Sequence, residues 1–146
     1  MTKCEELSAD IISRLIDQAV DGMSHAYTPY SRFRVGAALL TESGKIYTGC
    51  NIENAAYTPT NCAERTAFFK AVSEGERHFT AICIVGGKDG KLTDYTSPCG
   101  VCRQVMMEFC EPERFKIILA IDHEHYRIYT LKELLPEGFG PARLTR

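Results

Sequence analysis

Two cysteines three residues apart, in the stretch SPCGVCRQ, have the spacing of metal ligands. Cys99 and Cys102 follow a proline, which favours the start of a helix, and one helical turn would place both sulfurs on the same face. A third candidate, Cys62, stands directly after a loop at the first turn of the preceding helix. Helix dipoles at both amino termini favour thiolates, which bind zinc at about 2.3 Å. The sequence therefore predicts a zinc site with three sulfur ligands.

The fourth ligand position has no obvious protein donor. A structural zinc site is closed by four protein ligands, whereas a catalytic one keeps a position for water. No further cysteine or histidine stands in a second paired spacing, and we expect the histidines at the surface. These residues are Cys4, Cys50, Cys83, Cys110, His25, His78, His123 and His125. An open, reactive site is therefore the favoured interpretation.

Two charged residues follow Cys62 and can each be interpreted in two ways. Glu64 could accept a proton from an activated water and return it to a substrate. A glutamate in a first helical turn is also common simply because it suits the helix dipole. Arg65 is either a surface cation or the counter-charge to three thiolates, which together outweigh Zn²⁺ by one unit.

Apolar periodicity predicts the elements that would position these residues. A helix is expected over about 6–24, and a hairpin of strands 33–40 and 46–50 turns at Gly44. Segment 62–75 is predicted to be a helix and 79–87 a buried strand, and a further helix starts near Pro98. Buried strand 115–122, edge strand 126–130 and short helix 131–136 follow, and the tail from 138 is expected to be loosely held. This order predicts an α/β fold in which helices cover a mixed sheet.

Length and composition limit the possible functions. The 146 residues fit one domain over 1–146, and the net charge of −2 without a basic block disfavours nucleic acid as a partner. No apolar run approaches the roughly 20 residues that span a bilayer, and the amino terminus lacks the apolar core of a signal peptide. We therefore expect a cytoplasmic protein with no membrane partner, whose seven cysteines are thiols or metal ligands.

The segment CAERTA, followed 37 residues after its cysteine by PCGVC, resembles the cytidine deaminase superfamily. The short, free-nucleoside cytidine deaminases are the most similar group, and the likeness runs through YTPYSRFRVGAALL, GCNIENAAY, AVSEG, SPCGVCRQVM and ELLPEGFGP. The resemblance implies zinc-dependent hydrolysis of cytidine and deoxycytidine to uridine and deoxyuridine plus ammonia, a step of pyrimidine salvage. It also implies a three-layer α/β fold, with helices on both faces of a five-stranded mixed sheet.

The resemblance also implies roles for residues near the metal. Cys62, Cys99 and Cys102 match the ligands of one zinc ion per subunit, and Glu64 matches the acid/base that protonates the ring nitrogen and then the departing amine. Arg65 matches the residue whose hydrogen bonds temper the negative charge of the thiolates.

Substrate contacts are implied by the same resemblance. Asn51 and Glu53 match the pair that binds the ribose 3′-hydroxyl, and backbone groups near Ala63 and Ser97 match those that hold the base. The implied aromatic contacts are Phe33 against the base, Tyr30 and Tyr57 near the site, and Phe139 entering from a neighbouring subunit. Because a neighbouring subunit contributes to each site, the resemblance implies a homotetramer. By spacing alone, Phe33 would be a core residue and Phe139 a tail anchor.

Three other functions fit part of the pattern. A deaminase of another aminopyrimidine, such as a blasticidin-type antibiotic, shares the cysteine motifs, although Asn51 and Glu53 suit a ribose diol. A polynucleotide-editing deaminase needs a positive channel, which this slightly acidic chain does not suggest. In a non-catalytic, zinc-stabilised binding module Glu64 would be replaceable. The PCxxC pair alone also fits a zinc knuckle or a redox motif, which would leave Cys62 and Glu64 unexplained.

Overall fold

A computed structural model describes residues 7–145, so Cys4 lies outside the described residues. Each predicted helix and strand is present, with bounds that differ from the prediction by a few residues. Their order is α1 (Ala9–Met23), β1 (Phe33–Thr41), β2 (Ile46–Cys50), α2 (Ala63–Ser73), β3 (Phe79–Lys88), α3 (Gly100–Phe109), β4 (Lys116–Ala120), β5 (Tyr126–Thr130), α4 (Leu131–Leu134) and α5 (Ala142–Thr145).

The five strands form one mixed sheet in the order β2-β1-β3-β4-β5. The β3/β4 pair is parallel, and the other three pairs are antiparallel. Helix α3 connects the parallel pair, since parallel neighbours need a crossover that a tight turn cannot make. The prediction of a mixed sheet with 126–130 at an edge is confirmed.

Helices cover both faces of the sheet, which confirms the predicted three layers. Ser8 is the N-cap residue of α1, and its Oγ accepts the N–H of Ile11 at 3.2 Å. Its buried stripe, which includes Leu15, Ile16 and Ala19, packs on one face. Helices α2 and α3 contribute to the core on the opposite face. The two helices that begin at the candidate ligands therefore lie on the same side of the sheet.

An aromatic cluster joins α2 to α3 beneath these helix starts. Phe68 of α2 is fully buried, and its ring stacks on that of Phe109 of α3 with centroids 6.2 Å apart. Phe79 and Phe115, at or beside the starts of β3 and β4, lie 5.1 and 6.0 Å from the same ring. Rings at these separations and angles attract each other beyond simple burial. The cluster thereby fixes one ligand-bearing helix relative to the other.

Two glycines let the helices approach the sheet closely. A methyl group at Gly36 of β1 would overlap the carbonyl oxygen of Ala19 and lie 2.6 Å from the amide nitrogen of Met23, both in α1. A methyl group at Gly49 of β2 would overlap the backbone of α2 in the same way. Gly49 pairs with Ala37, the residue after Gly36. Because side chains alternate along a strand, the two glycines lie on opposite faces of the sheet.

Substitution of either glycine by alanine is expected to destabilise the protein by about 3 kcal/mol, since a helix backbone must move away. Only Gly49→Ala should also weaken zinc retention, because Cys62 is the N-cap residue of α2 whereas α1 carries no candidate site residue. Thermal unfolding followed by circular dichroism, together with the zinc content of both variants, checks this. Equal zinc retention in the two variants would contradict the proposed dependence on the α2 contact.

The fold differs from the predicted helices and tail at two places. Pro98 is not in the first helical turn, because Cys99 is the extended N-cap residue and α3 begins at Gly100. The tail is not loose where it crosses α3, since Gln104 Nε2 donates to the carbonyl oxygen of Phe139 at 2.8 Å and Gly140 is buried against Met107. Within residues 7–145, no helix is long and apolar enough to cross a membrane.

Candidate active site

The sulfurs of Cys62, Cys99 and Cys102 all lie within 4.8 Å of one another. The Sγ–Sγ distance is 3.7 Å between Cys62 and Cys99 and 3.5 Å between Cys99 and Cys102. Three sulfurs bound tetrahedrally to one ion at about 2.3 Å stand roughly 3.8 Å apart. The observed spacing therefore fits a single zinc ion, and soft thiolate donors favour zinc over magnesium or calcium.

Helix capping sets the directions of these cysteines. Cys62 and Cys99 are the N-cap residues of α2 and α3, and both have extended backbone angles, with ψ of 156° and 168°. The Sγ of Cys99 accepts the N–H of Cys102 at 3.5 Å, which places the third sulfur one helical turn away. Both helix amino termini thus point at the sulfurs, and their dipoles stabilise negative charge there.

Arg65 lies beside this cluster. Its Nη2 donates to the Sγ of Cys62 at 3.3 Å, and its buried Nε has no acceptor among the described residues. The pKa of Cys62 falls to about 5, chiefly because Cys102 donates a hydrogen bond to its sulfur, with further contributions from Arg65 and Cys99. The same hydrogen bond raises the pKa of Cys102. The pair thus shares a negative charge that a cation can bind.

Glu64 is one of the few buried charged residues in the described chain, with 4% of its surface exposed. Burial raises the pKa of its carboxyl to about 7, and the negative charge of Cys62 adds to the shift. A dication at the sulfurs would oppose this shift. A carboxyl group with a pKa near neutrality can both accept and donate protons, as a general acid/base must. Glu64 does lie in the first turn of α2, as the helix-dipole interpretation requires, but its burial beside the sulfurs is not needed for that role.

Within residues 7–145, the three cysteines are the only set of His, Cys, Asp and Glu side chains close enough together to hold a metal. No fourth protein donor joins them, and Glu64 is not part of the set. The arrangement therefore leaves a coordination position for water or substrate, which is the pattern of catalytic zinc sites.

Glu53 is held by backbone donors from the loop before β1. Its Oε1 accepts the N–H groups of Tyr30 at 3.0 Å and Ser31 at 3.1 Å. The pKa of Glu53 is lowered, first by a hydrogen bond from the Ser31 side chain and then by these amides. No backbone donor reaches its second oxygen within the described residues. The carboxylate is therefore ionised and fixed in direction, with one oxygen available to a ligand.

Asn51 uses its side-chain amide to connect β2 to the start of β1. Its Oδ1 accepts the N–H of Val35 at 2.8 Å, and its Nδ2 donates to the carbonyl oxygen of Phe33 at 2.8 Å. One hydrogen of Nδ2 and one lone pair of Oδ1 stay available, because the amide has four bonding positions. Asn51 thus positions Phe33 whether or not it also contacts a ligand.

The predicted aromatic contacts lie at the surface. Phe33 is 40% exposed, so the core position that spacing alone suggests is wrong, because it is the first residue of β1. Tyr57 is 73% exposed and packs edge-on against Tyr30, with ring centroids 6.2 Å apart. Phe139 is 57% exposed. These side chains are available to a ligand or to another protein surface.

The two positions predicted to hold the base offer backbone groups. Ala63 is the first residue of α2, and its N–H is one of the amides that a helix leaves without an internal partner. Ser97 is exposed and forms no hydrogen bond within the described part of the chain. The N–H of Ala63 and the polar groups of Ser97 are therefore available to a ligand, close in sequence to Cys62 and Cys99.

Several residues that shape the site give no signal in the sequence. The segment carrying Glu53 is fixed because Ile52 pairs with both Tyr27 and Asn61. Glu53 itself is oriented by backbone amides, and an amide is present at nearly every residue, so composition and spacing cannot reveal it. Asn61 has a weak signal, as a polar residue next to a ligand cysteine.

The other described cysteines and the four histidines are not part of the sulfur cluster. Cys83 is buried in β3, and burial raises the pKa of this thiol to about 12. Cys50 and Cys110 are free thiols at element ends. All four histidines are exposed, as predicted, and two of them pair with carboxylates, His123 with Asp17 and His125 with Asp122.

Known proteins share both the sequence pattern and the fold. Residues 10–118 match the family model of the cytidine and deoxycytidylate deaminase zinc-binding region. A cytidine deaminase of Sporosarcina psychrophila is 58% identical over 134 residues, which is 92% of this chain and 95% of the relative. One of Halalkalibacterium halodurans is 49% identical over 125 residues, with 86% and 91% covered. The crystal structure of cytidine deaminase from Burkholderia pseudomallei matches with a TM-score of 0.78 and 43% identity, covering 86% of this chain and 97% of that one.

Proposed function

This chain belongs to the cytidine and deoxycytidylate deaminase family, and from that premise we propose that it is a zinc-dependent enzyme that hydrolyses cytidine and deoxycytidine to uridine and deoxyuridine. The single observation that supports this most is the buried Glu64 next to three converging cysteine sulfurs with no fourth protein ligand. A binding module stabilised by zinc would have no need for a buried carboxyl group at that place.

Glu64 carries the proton transfers of the proposed reaction. Zinc at the three sulfurs would supply the Lewis acid that activates water for attack on carbon 4 of the cytosine ring. Glu64 accepts the proton of that water and delivers it to ring nitrogen 3 as the new C–O bond forms. It then takes the second proton, from the hydroxyl now on carbon 4, and passes it to the exocyclic amine, so that the C–N bond breaks, the carbonyl forms and ammonia leaves.

Arg65 and the backbone near Ala63 and Ser97 prepare the site for this chemistry. The hydrogen bond from Arg65 to Cys62 withdraws negative charge from the sulfurs. The thiolates then donate less charge to a bound cation, which stays a stronger Lewis acid. Free backbone groups of Ala63 and Ser97 hold the edge of the base, and Phe33 covers its face.

The sugar is bound by Glu53 and Asn51 in this proposal. The fixed, ionised carboxylate of Glu53 has an oxygen available for the 3′-hydroxyl, which ribose and deoxyribose share. Asn51 keeps unused donor and acceptor capacity on the same short segment. The nearby pair Tyr30 and Tyr57 borders the sugar side.

The assembly and cellular setting follow from the same proposal. Each 146-residue chain forms one domain of a homotetramer, in which Phe139 of one subunit enters the site of a neighbour. Its exposed ring and its fixed backbone support this, since Gln104 holds the carbonyl oxygen of Phe139. The enzyme acts in pyrimidine salvage in the cytoplasm, where a reducing environment keeps its described cysteines out of disulfides.

The proposal is tested by incubating the protein with cytidine, deoxycytidine, cytidine monophosphate and blasticidin S in parallel, with and without a zinc chelator. The ultraviolet change from amino to keto ring reports turnover. We expect turnover of the first two only, and its loss on metal removal. Turnover of the antibiotic alone would overturn the roles of Asn51 and Glu53, and no turnover by zinc-loaded protein would favour a binding module.

Glu53→Gln is expected to raise KM for cytidine about 10- to 100-fold, because a neutral amide replaces a charge-assisted acceptor for the ribose hydroxyl. The value of kcat should fall less, since Glu53 does not touch the reacting atoms. Steady-state kinetics with cytidine measures both constants. Glu42→Gln, at an exposed carboxylate just after β1, serves as the matched control. An unchanged KM in Glu53→Gln would remove the sugar contact from the proposal.

A further inference from the structure

Arg103, directly after the ligand Cys102, directs its described side-chain hydrogen bonds to backbone carbonyls only. Its Nε donates to the oxygen of Pro98 at 2.8 Å, and its Nη1 donates to the oxygen of Leu134 at 2.6 Å. Within residues 7–145, no carboxylate lies within ion-pair distance of it. The side chain is half-buried. Its role is therefore to connect two segments of backbone and not to balance a neighbouring acid.

The first of these segments is the turn that carries Cys99. The backbone N–H of Arg103 donates to the carbonyl oxygen of Cys99 at 3.0 Å, while its side chain takes the preceding carbonyl, that of Pro98. One residue thus holds the two peptide groups that flank Cys99 and so sets the direction of its side chain. Pro98 has no N–H and Ser97 forms no hydrogen bond in the described chain, so the turn has few other anchors.

The second segment is the end of α4, which is itself fixed. Leu134 is the last residue of this helix, where carbonyl groups lack internal partners. Thr130 and Glu133 form a capping box at the other end, and Leu131 is fully buried in the core. Arg103 therefore ties the Cys99 turn to a rigid support. A lysine could reach one carbonyl but not both, because its ammonium lacks the planar fork of arginine.

Gln104 offers a comparison within the same helix. Its Nε2 donates to the carbonyl oxygen of Phe139 at 2.8 Å, so it holds the tail, and its side chain forms no hydrogen bond to the Cys99 turn within residues 7–145. Both residues connect α3 to backbone that follows β5. Of the two, only Arg103 forms hydrogen bonds to the turn that carries Cys99.

We propose that Arg103 is a positioning residue that holds Cys99 in register with Cys62 and Cys102 by bridging the carbonyls of Pro98 and Leu134. This rests on the proposed function only in taking Cys99 to be a zinc ligand. Without the bridge, the turn rotates more freely and Cys99 leaves the metal more often. Zinc then dissociates faster, although the cysteines themselves are intact.

The test compares Arg103→Lys, Arg103→Gln and Gln104→Ala with the unchanged protein. Zinc release into a chromophoric chelator is followed under native conditions, and thermal unfolding of the zinc-free proteins is measured in parallel. We expect about 10-fold faster zinc release from both Arg103 variants, as when other residues supporting a metal ligand are replaced. Gln104→Ala should release zinc at the original rate. If Arg103→Gln does not fold, the lysine variant carries the test.

Zinc release from Arg103→Lys at the original rate would overturn the proposal. So would a loss of zinc-free stability larger than that of Gln104→Ala, because the bridge would then support the fold in general. Turnover is recorded separately. If the unchanged protein fails to deaminate cytidine but Arg103→Lys still releases zinc faster, the proposed function fails and the positioning role stands. If the unchanged protein is active and zinc release is unaltered, only the positioning role fails.

Discussion

Replacement of Glu64 by glutamine is expected to lower kcat for cytidine by about 10⁴-fold while the fold and the zinc content stay unchanged. Glutamine has nearly the same shape, so the buried site at the start of α2 keeps its packing. It cannot accept the proton of the attacking water or deliver one to the ring nitrogen and the amine. Both proton transfers are therefore lost in a single substitution, which explains the size of the effect.

Stopped assays with high enzyme concentration, together with metal analysis and circular dichroism, measure this outcome. Glu74→Gln provides the control, because Glu74 is an exposed carboxylate at the opposite end of the same helix. It should retain the original activity. If Glu64→Gln keeps more than about a tenth of the activity while fully loaded with zinc, Glu64 does not carry the proton transfers.

Replacement of Cys102 by alanine is expected to lower zinc affinity by about 10²- to 10³-fold, if the binding free energy of a zinc site is shared among its ligands. The protein isolated without added zinc should then be metal-poor and inactive. Cys102 is almost fully buried, and within residues 7–145 no cysteine beyond Cys62 and Cys99 joins its set, so no spare thiol stands ready to replace it. Equilibrium dialysis against a zinc buffer measures the affinity.

Cys110→Ala is the matched control for this experiment. Cys110 lies at the other end of α3, so its loss removes a thiol from the same helix without touching the sulfur cluster. Zinc content and turnover should both stay at the original level. Full zinc occupancy in Cys102→Ala would show that the metal is held by some other set of residues.

The sequence predicts the order of helices and strands well because local signals mark each of them. The apolar stripe of α1, the turn at Gly44 and the branched residues of β3 and β4 each act within one element. The meeting of Cys62 with Cys99 and Cys102 also follows, since two helices that begin after loops over the same sheet face bring their amino termini together. The three-sulfur metal site is therefore predictable from residue types and helix starts, whereas the roles of Glu64 and Arg65 rest on the resemblance.

Long-range details are not accessible in the same way. Nothing in the sequence indicates that Glu53 is oriented by backbone amides 22 and 23 residues away, or that Asn51 connects two strands. The tail is expected to be loose because its composition is rich in glycine and polar residues. The structure packs it on α3 through contacts of Met107 and Gln104, whose targets lie more than 30 residues later.

The strand order also determines when the site can form during folding. Strand β1 pairs with β3 through residues that lie 38 to 55 positions apart in the chain, and β3 pairs in parallel with β4 only after the chain has crossed through α3. Pairings of this kind must first pay the entropy of closing long loops, which slows folding. The hairpin β1–β2 and helix α1 can form from neighbouring residues, whereas Cys62 and Cys99 meet only once β3 joins the sheet. We therefore expect the complete three-sulfur site to form only after these long-range pairings, and so later than the β1–β2 hairpin.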